Sequence, residues 1–134
     1  RTGAGPAFAR RPAFAWRDHL PEVVIVYAYA GLDESVVRRQ IGEATKGIVV
    51  GGLGEGNMPG PVRQALLALA RNGLPVVRAS RTDEGLVDRE PEDQDNGFIA
   101  ARALNPQKAR VLLQLLLADG ITDPAAIQQK FDRR

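Results

Sequence analysis

The chain has no cysteine and a single histidine, His19. The first absence excludes disulfides, thiolate catalysis and cysteine-ligated zinc, and leaves the redox compartment open. The second leaves little for proton-transfer chemistry, because His19 falls in a stretch ahead of the first regular element and reads as a surface residue. Aromatic residues make up only 5% of the chain. No apolar run approaches the roughly 18 residues of a membrane span, so no membrane association is expected. The sole methionine is Met58 and the first residue is Arg1, which suggests a fragment, a clipped product or a short gene product. The opening stretch lacks the continuous apolar segment of a secretory signal. Its arginines (Arg1, Arg10, Arg11 and Arg17) suit a transit peptide, but Pro6, Pro12 and Pro21 interrupt the amphipathic helix such a peptide needs.

What is present suits one domain. The 134 residues suffice to bury a core, and 44% hydrophobic with 25% charged content is ordinary for a globular chain. Net charge is +2. The basic residues come as separated pairs, Arg10–Arg11, Arg38–Arg39 and Arg133–Arg134, with no aromatic-interleaved stripe. Scattered solvated charge is therefore expected, and no nucleic-acid partner.

Residues 1–21 read as an irregular linker rich in proline, in which Phe8, Phe14 and Trp16 either pack on a neighbouring surface or stay exposed. From residue 22 to 134 the pattern is regular. Residues 23–29 form a continuous β-branched and aromatic run, read as a buried strand. Asp33 caps a helix with Val37, Ile41 and Ala44 on one face, ending before Gly47. Residues 48–50 are a second strand and 51–60 a loop. Pro61 opens a helix carrying Val62, Ala65, Leu66, Leu69 and Ala70 at helical spacing. Residues 75–79 are a third strand, residues 80–97 a long polar loop, and residues 98–100 a weak fourth strand. Asn105–Pro106 and Asp123–Pro124 each start a helix by a cap followed by proline. Strands and helices alternating in this way predict an α/β fold with a parallel sheet covered on both faces.

In such a sheet, ligands sit beyond the carboxyl ends of the strands. Three loops build that edge: residues 29–33, 51–60 and 80–97. The middle one reads Gly51-Gly52-Leu53-Gly54-Glu55-Gly56-Asn57. A phosphate cradle is disfavoured: the helix starts late, no Lys-Ser/Thr follows, and Glu55 repels phosphate. A permissive strand-to-helix turn is the plainer reading. The last loop holds Asp83, Glu84, Asp88, Glu90, Glu92, Asp93 and Asp95, with Arg89 as the one offset within residues 83–95. A solvated surface, a partial calcium loop beginning at Asp93 and recognition of a cationic group are the three options. The calcium pattern is incomplete, since Leu104 stands where a bidentate Glu belongs. Lys46, Lys108 and Lys130 fall at or inside predicted helices. Ser80 and Thr82 lack an evident base, so nucleophilic catalysis is poorly supplied.

Several segments resemble the C-terminal domain of type II L-asparaginases, of the asparaginase/glutaminase family. They are Pro6-Ala7-Phe8-Ala9-Arg10, Leu20-Pro21, Val24-Ile25-Val26-Tyr27, Gly47-Ile48-Val49-Val50 and Gly54-Glu55-Gly56-Asn57. Pro75-Val76-Val77-Arg78-Ala79-Ser80-Arg81, Gly97-Phe98, Leu104-Asn105-Pro106-Gln107-Lys108-Ala109-Arg110 and Asp123-Pro124 with Ile127-Gln128 follow in order. The resemblance implies a small Rossmann-like domain with a four-stranded parallel sheet. It implies a complete enzyme that hydrolyses L-asparagine, often also L-glutamine, to the acid and ammonia, without metal or organic cofactor. The nucleophilic threonine would lie in a larger N-terminal domain. Active sites would form between subunits of a homodimer or homotetramer. The resemblance assigns no catalytic residue to this chain. It makes Asn57 a holder of the substrate amino group and Glu90 the carboxylate that pairs with the substrate ammonium in a neighbour's site, Glu92 being the alternative if the loop is counted from Gly85. Glu55 departs from the asparagine common in the family's glycine loop. A free-standing amino-acid-binding module is the alternative function. The preference between asparagine and glutamine, and the choice between periplasm and cytoplasm, are not set by these residues.

Overall fold

The computed structural model describes residues 13–54, 56–82, 86–88, 90, 93 and 97–133. Phe8, Arg10, Arg11, Glu55, Asp83, Glu84, Arg89, Glu92, Asp95 and Arg134 lie outside the described residues. Four strands, β1 (Glu22–Tyr27), β2 (Thr45–Gly52), β3 (Val76–Ser80) and β4 (Phe98–Ala100), form one sheet in the order β1-β2-β3-β4. All neighbouring pairs are parallel. Among the described residues the helices are α1 (Glu34–Gln40), α2 (Gly60–Arg71), α3 (Pro106–Ala118) and α4 (Pro124–Asp132). No helix among the described residues is long and apolar enough to cross a membrane.

Strand residues alternate between two apolar layers, as the pleat requires. Val23, Val49, Val77 and Ile99 pack with Leu112, Leu113, Leu116, Ile127 and Phe131 of α3 and α4. Val26, Ile48, Val50, Val76 and Phe98 pack with Val37, Val62, Leu66 and Leu67 of α1 and α2. The expected two-sided burial is thus present, and the weakly signalled strand at residues 98–100 is real.

The three anticipated caps form. The Asp33, Asn105 and Asp123 side chains accept hydrogen bonds from the backbone N–H groups of Ser35, Lys108 and Ala126. The amide of Ser35 holds the Asp33 carboxyl below its ordinary pKa. The open edge of β4 is closed by a side chain: Gln128 accepts from Ala100 N–H and donates to Ala100 C=O.

Two boundaries differ from expectation. Helix α1 stops at Gln40, with Ile41 already extended, and Thr45 and Lys46 belong to β2 rather than to a helix. Gly51 and Gly52 also belong to β2, where they pair with Tyr27, Ala79 and Ser80. Close packing explains the glycines. A Cβ on Gly52 would lie 2.3 Å from the carbonyl carbon of Gly56, and one on Gly51 2.7 Å from the Tyr27 ring. Ahead of β1, Phe14 packs on the first apolar layer while Trp16 is 89% exposed.

Gly52→Ala should therefore destabilise the chain by about 1–3 kcal/mol. Gly60→Ala, where nothing lies within 4 Å of the added carbon, should be neutral or stabilising by up to about 1 kcal/mol. Urea denaturation midpoints of the two variants check the contrast.

Candidate functional site

The three loops at the carboxyl ends of the strands are tied to one another. Ala28 N–H donates to Gly51 C=O, and Arg81 N–H donates to Gly52 C=O. The Arg81 guanidinium reaches across to Ala28 C=O at 2.7 Å. Within the middle loop, Leu53 and Asn57 exchange backbone hydrogen bonds of 2.7 and 2.8 Å, which closes a tight turn. Gly54 and Gly56 have φ of 52° and 93°, the region where glycine is favoured. Exposed Asn57 thus stands at the foot of a short, closed turn instead of on a loose loop.

The loop after β3 is organised by a residue that the sequence pattern did not single out for function. Arg78, in the middle of β3, is 1% exposed. Its guanidinium grips Asp93 with two hydrogen bonds, Nε to Oδ1 at 2.9 Å and Nη2 to Oδ2 at 2.5 Å. Nη2 also donates to Asp88 C=O at 3.1 Å. Asp93 in turn accepts from Glu90 N–H at 2.7 Å. Its own N–H donates to Glu90 C=O, and its C=O accepts from Gly97 N–H. A bidentate, charge-assisted pair of this kind gives strength together with fixed geometry.

Asp93 is not a solvated charge: both of its oxygens are engaged by Arg78, so the first position of the partial calcium loop is already paired with a cation. Among the described residues, no group of three or more acidic or histidine side chains is placed to hold a metal.

Glu90 lies above this pair, with its side chain 38% exposed. One carboxylate oxygen lies 3.9 Å from Arg78 Nη1 and the other 4.0 Å from Arg63 Nη2. The glycine turn abuts the same guanidinium, since a Cβ on Gly56 would lie 3.1 Å from Arg78 Nη1. The turn carrying Asn57 and the segment carrying Glu90 therefore rest on one buried arginine. A signal for this existed in the sequence: a charged residue in an otherwise apolar strand implies a buried partner.

Other candidates are not brought together. His19 is exposed in the segment before β1. Ser80 and Thr82 hydroxyls contact each other at 2.8 Å, with no base hydrogen-bonded to either among the described residues. Lys46 sits on β2, Lys108 on α3 and Lys130 on α4.

Comparison with known proteins adds to this geometry. The family described as glutaminase/asparaginase C-terminal domain matches residues 22–131. L-asparaginase 2 of Escherichia coli is 42% identical over 118 residues, covering 87% of this chain and 34% of that protein. A probable periplasmic L-asparaginase of Haemophilus influenzae is 41% identical, covering 86% of this chain and 33% of its own. The crystal structure of a probable cytoplasmic L-asparaginase from Campylobacter jejuni superposes with a TM-score of 0.78 at 43% identity, covering 84% of this chain and 36% of that one. The chain thus spans about a third of the length of these relatives.

Asp93→Leu should cost about 3–5 kcal/mol, because it takes the bidentate carboxylate from the buried Arg78 guanidinium. Adding Arg78→Met should make the two changes together cost clearly less than Asp93→Leu alone. A double-mutant cycle in urea, with Arg78→Met as the other single variant, gives the coupling energy.

Proposed function

The chain belongs to the glutaminase/asparaginase C-terminal domain family, and on that footing we propose that it is the substrate-positioning part of an L-asparaginase-like amidohydrolase. The reaction is hydrolysis of L-asparagine to L-aspartate and ammonia. In this reading the nucleophilic threonine is supplied by an N-terminal domain, and the neighbouring subunit of a homodimer or homotetramer completes each site. In the same reading, the proline-rich segment before residue 22 links the two domains.

The observation that carries the reading is the shared base of the two loops on Arg78. Asn57 offers an amide oxygen to a substrate amino group. Glu90 offers a carboxylate with both oxygens beyond hydrogen-bond reach of Arg63 and Arg78, so its lone pairs remain for an ammonium. Neither residue carries out bond cleavage. They neutralise and orient the substrate, which lowers the entropic part of the barrier.

In the complete enzyme, Glu90→Gln should raise KM and lower kcat/KM about ten- to a hundredfold, the worth of one charged hydrogen bond. Glu92→Gln should change it little. The reverse pattern would transfer the role to Glu92. The purified 134-residue chain should not turn over asparagine, as an ammonia-release assay would show. Turnover by the chain alone would overturn the division of labour, and tight binding of asparagine by the chain alone in titration calorimetry would favour a free-standing binding module.

A further inference from the structure

We propose that Arg63 is a positioning residue for the substrate-binding carboxylate of Glu90, acting from the first turn of α2. The inference rests on the reading of Glu90 as the ammonium-binding group and deepens it.

Backbone and side chain of Glu90 are held by different partners. The backbone is fixed from below: its N–H donates to Asp93 Oδ2 and its C=O accepts from Asp93 N–H. Those contacts leave the side-chain torsions undetermined. A half-exposed glutamate loses appreciable rotamer entropy when it is held in one orientation. The carboxylate lies between two cations, with Oε1 facing Arg78 at 3.9 Å and Oε2 facing Arg63 at 4.0 Å. Neither distance is a hydrogen bond, so the carboxylate is aligned by charge while its acceptor sites are not consumed.

Arg63 is itself located by more than this ion pair. Its guanidinium carbon lies 5.5 Å from the centroid of the Phe98 ring, a cation–π distance, and its side chain is only 23% exposed. Phe98 is buried at the start of β4, so Arg63 has a rigid seat. Helix α2 follows the turn that carries Asn57, and Pro61 pre-organises its first turn. The helix that receives the chain after Asn57 therefore also supplies the group that orients Glu90. One substrate loop is fixed relative to the other through Arg63 as well as through Arg78.

The opposite expectation is physically distinct. If Arg63 only competed with the ligand for Glu90, its removal would strengthen ammonium binding. Kinetics of the complete enzyme separate the two. Arg63→Met keeps an aliphatic stem for Phe98 and removes the charge. It should raise KM for asparagine about three- to fivefold, the size expected of a partly exposed ion pair, with a smaller change in kcat. Arg63→Lys should recover part of the loss. In a Glu90→Gln background, Arg63→Met should add nothing further, because its effect passes through that carboxylate. A KM that falls or stays constant in Arg63→Met overturns the proposal, as does an equal loss in the Glu90→Gln background. If Glu90→Gln itself leaves KM unchanged, the underlying role of Glu90 fails instead, and the positioning proposal goes with it.

Discussion

The ion pair between Arg78 and Asp93 is the constraint on which the ligand edge depends. Arg78 stands on a central strand between Val77 and Ala79, with 1% of its surface exposed. Stripping water from a guanidinium costs several kcal/mol, and the cost is recovered only when geometry is good and the remaining N–H groups are satisfied. Here Asp93 takes two of them and Asp88 C=O takes another. No buried side-chain polar atom among the described residues lacks a partner. The loop after β3 is rich in acids and has little apolar material to bury. It is anchored instead by this pair and by Val87, which is buried and exchanges backbone hydrogen bonds with Arg102.

The same arginine explains the glycine turn. Gly52 and Gly56 are in near contact, and Gly56 backs onto the Arg78 guanidinium. Side chains at either position would separate the turn from the strand or displace the buried charge. Glycine is thus used for close approach as well as for the positive φ at Gly56. The site proposed for Asn57 and Glu90 therefore stands on the sheet, although both residues lie on loops. That is the arrangement needed to hold groups within a fraction of an ångström of a working geometry.

Much of the fold was legible because local signals agreed with the global one. The β-branched runs gave buried strands, and Asp33, Asn105 and Asp123 each preceded a helical pattern and do cap it. Helix α1 ended earlier than its apolar spacing implied, because Thr45 is drawn into β2, where its hydroxyl bonds Glu22 and Gly42 N–H. Gly51 and Gly52 read as loop since glycine is a poor strand former, yet parallel pairing holds them in β2, Gly51 between Tyr27 and Ala79 and Gly52 against Ser80. The Arg78–Asp93 pair was not legible as a pair. Its members are fifteen residues apart, one in a strand and one in an aperiodic loop, and composition alone makes Asp93 one more solvated acid. Arg63 was hidden for a similar reason, as a polar residue on the outer side of an amphipathic helix pattern.

In the proposed function, stability and ligand affinity therefore draw on the same charges. Asp93 neutralises a buried cation and also accepts the N–H of Glu90, so weakening the first role loosens the second. A substitution at Arg78 or Asp93 acts on the core and on the site together, and its effect on affinity alone does not reveal a direct ligand contact. Arg63 differs in kind. It lies nearer the surface, beside Glu90 and the Phe98 ring, and it makes no part of the Arg78–Asp93 pair. The orientation of the carboxylate can then be separated from the integrity of the fold beneath it. That separation distinguishes a residue that positions a ligand group from one that only keeps the loop in place.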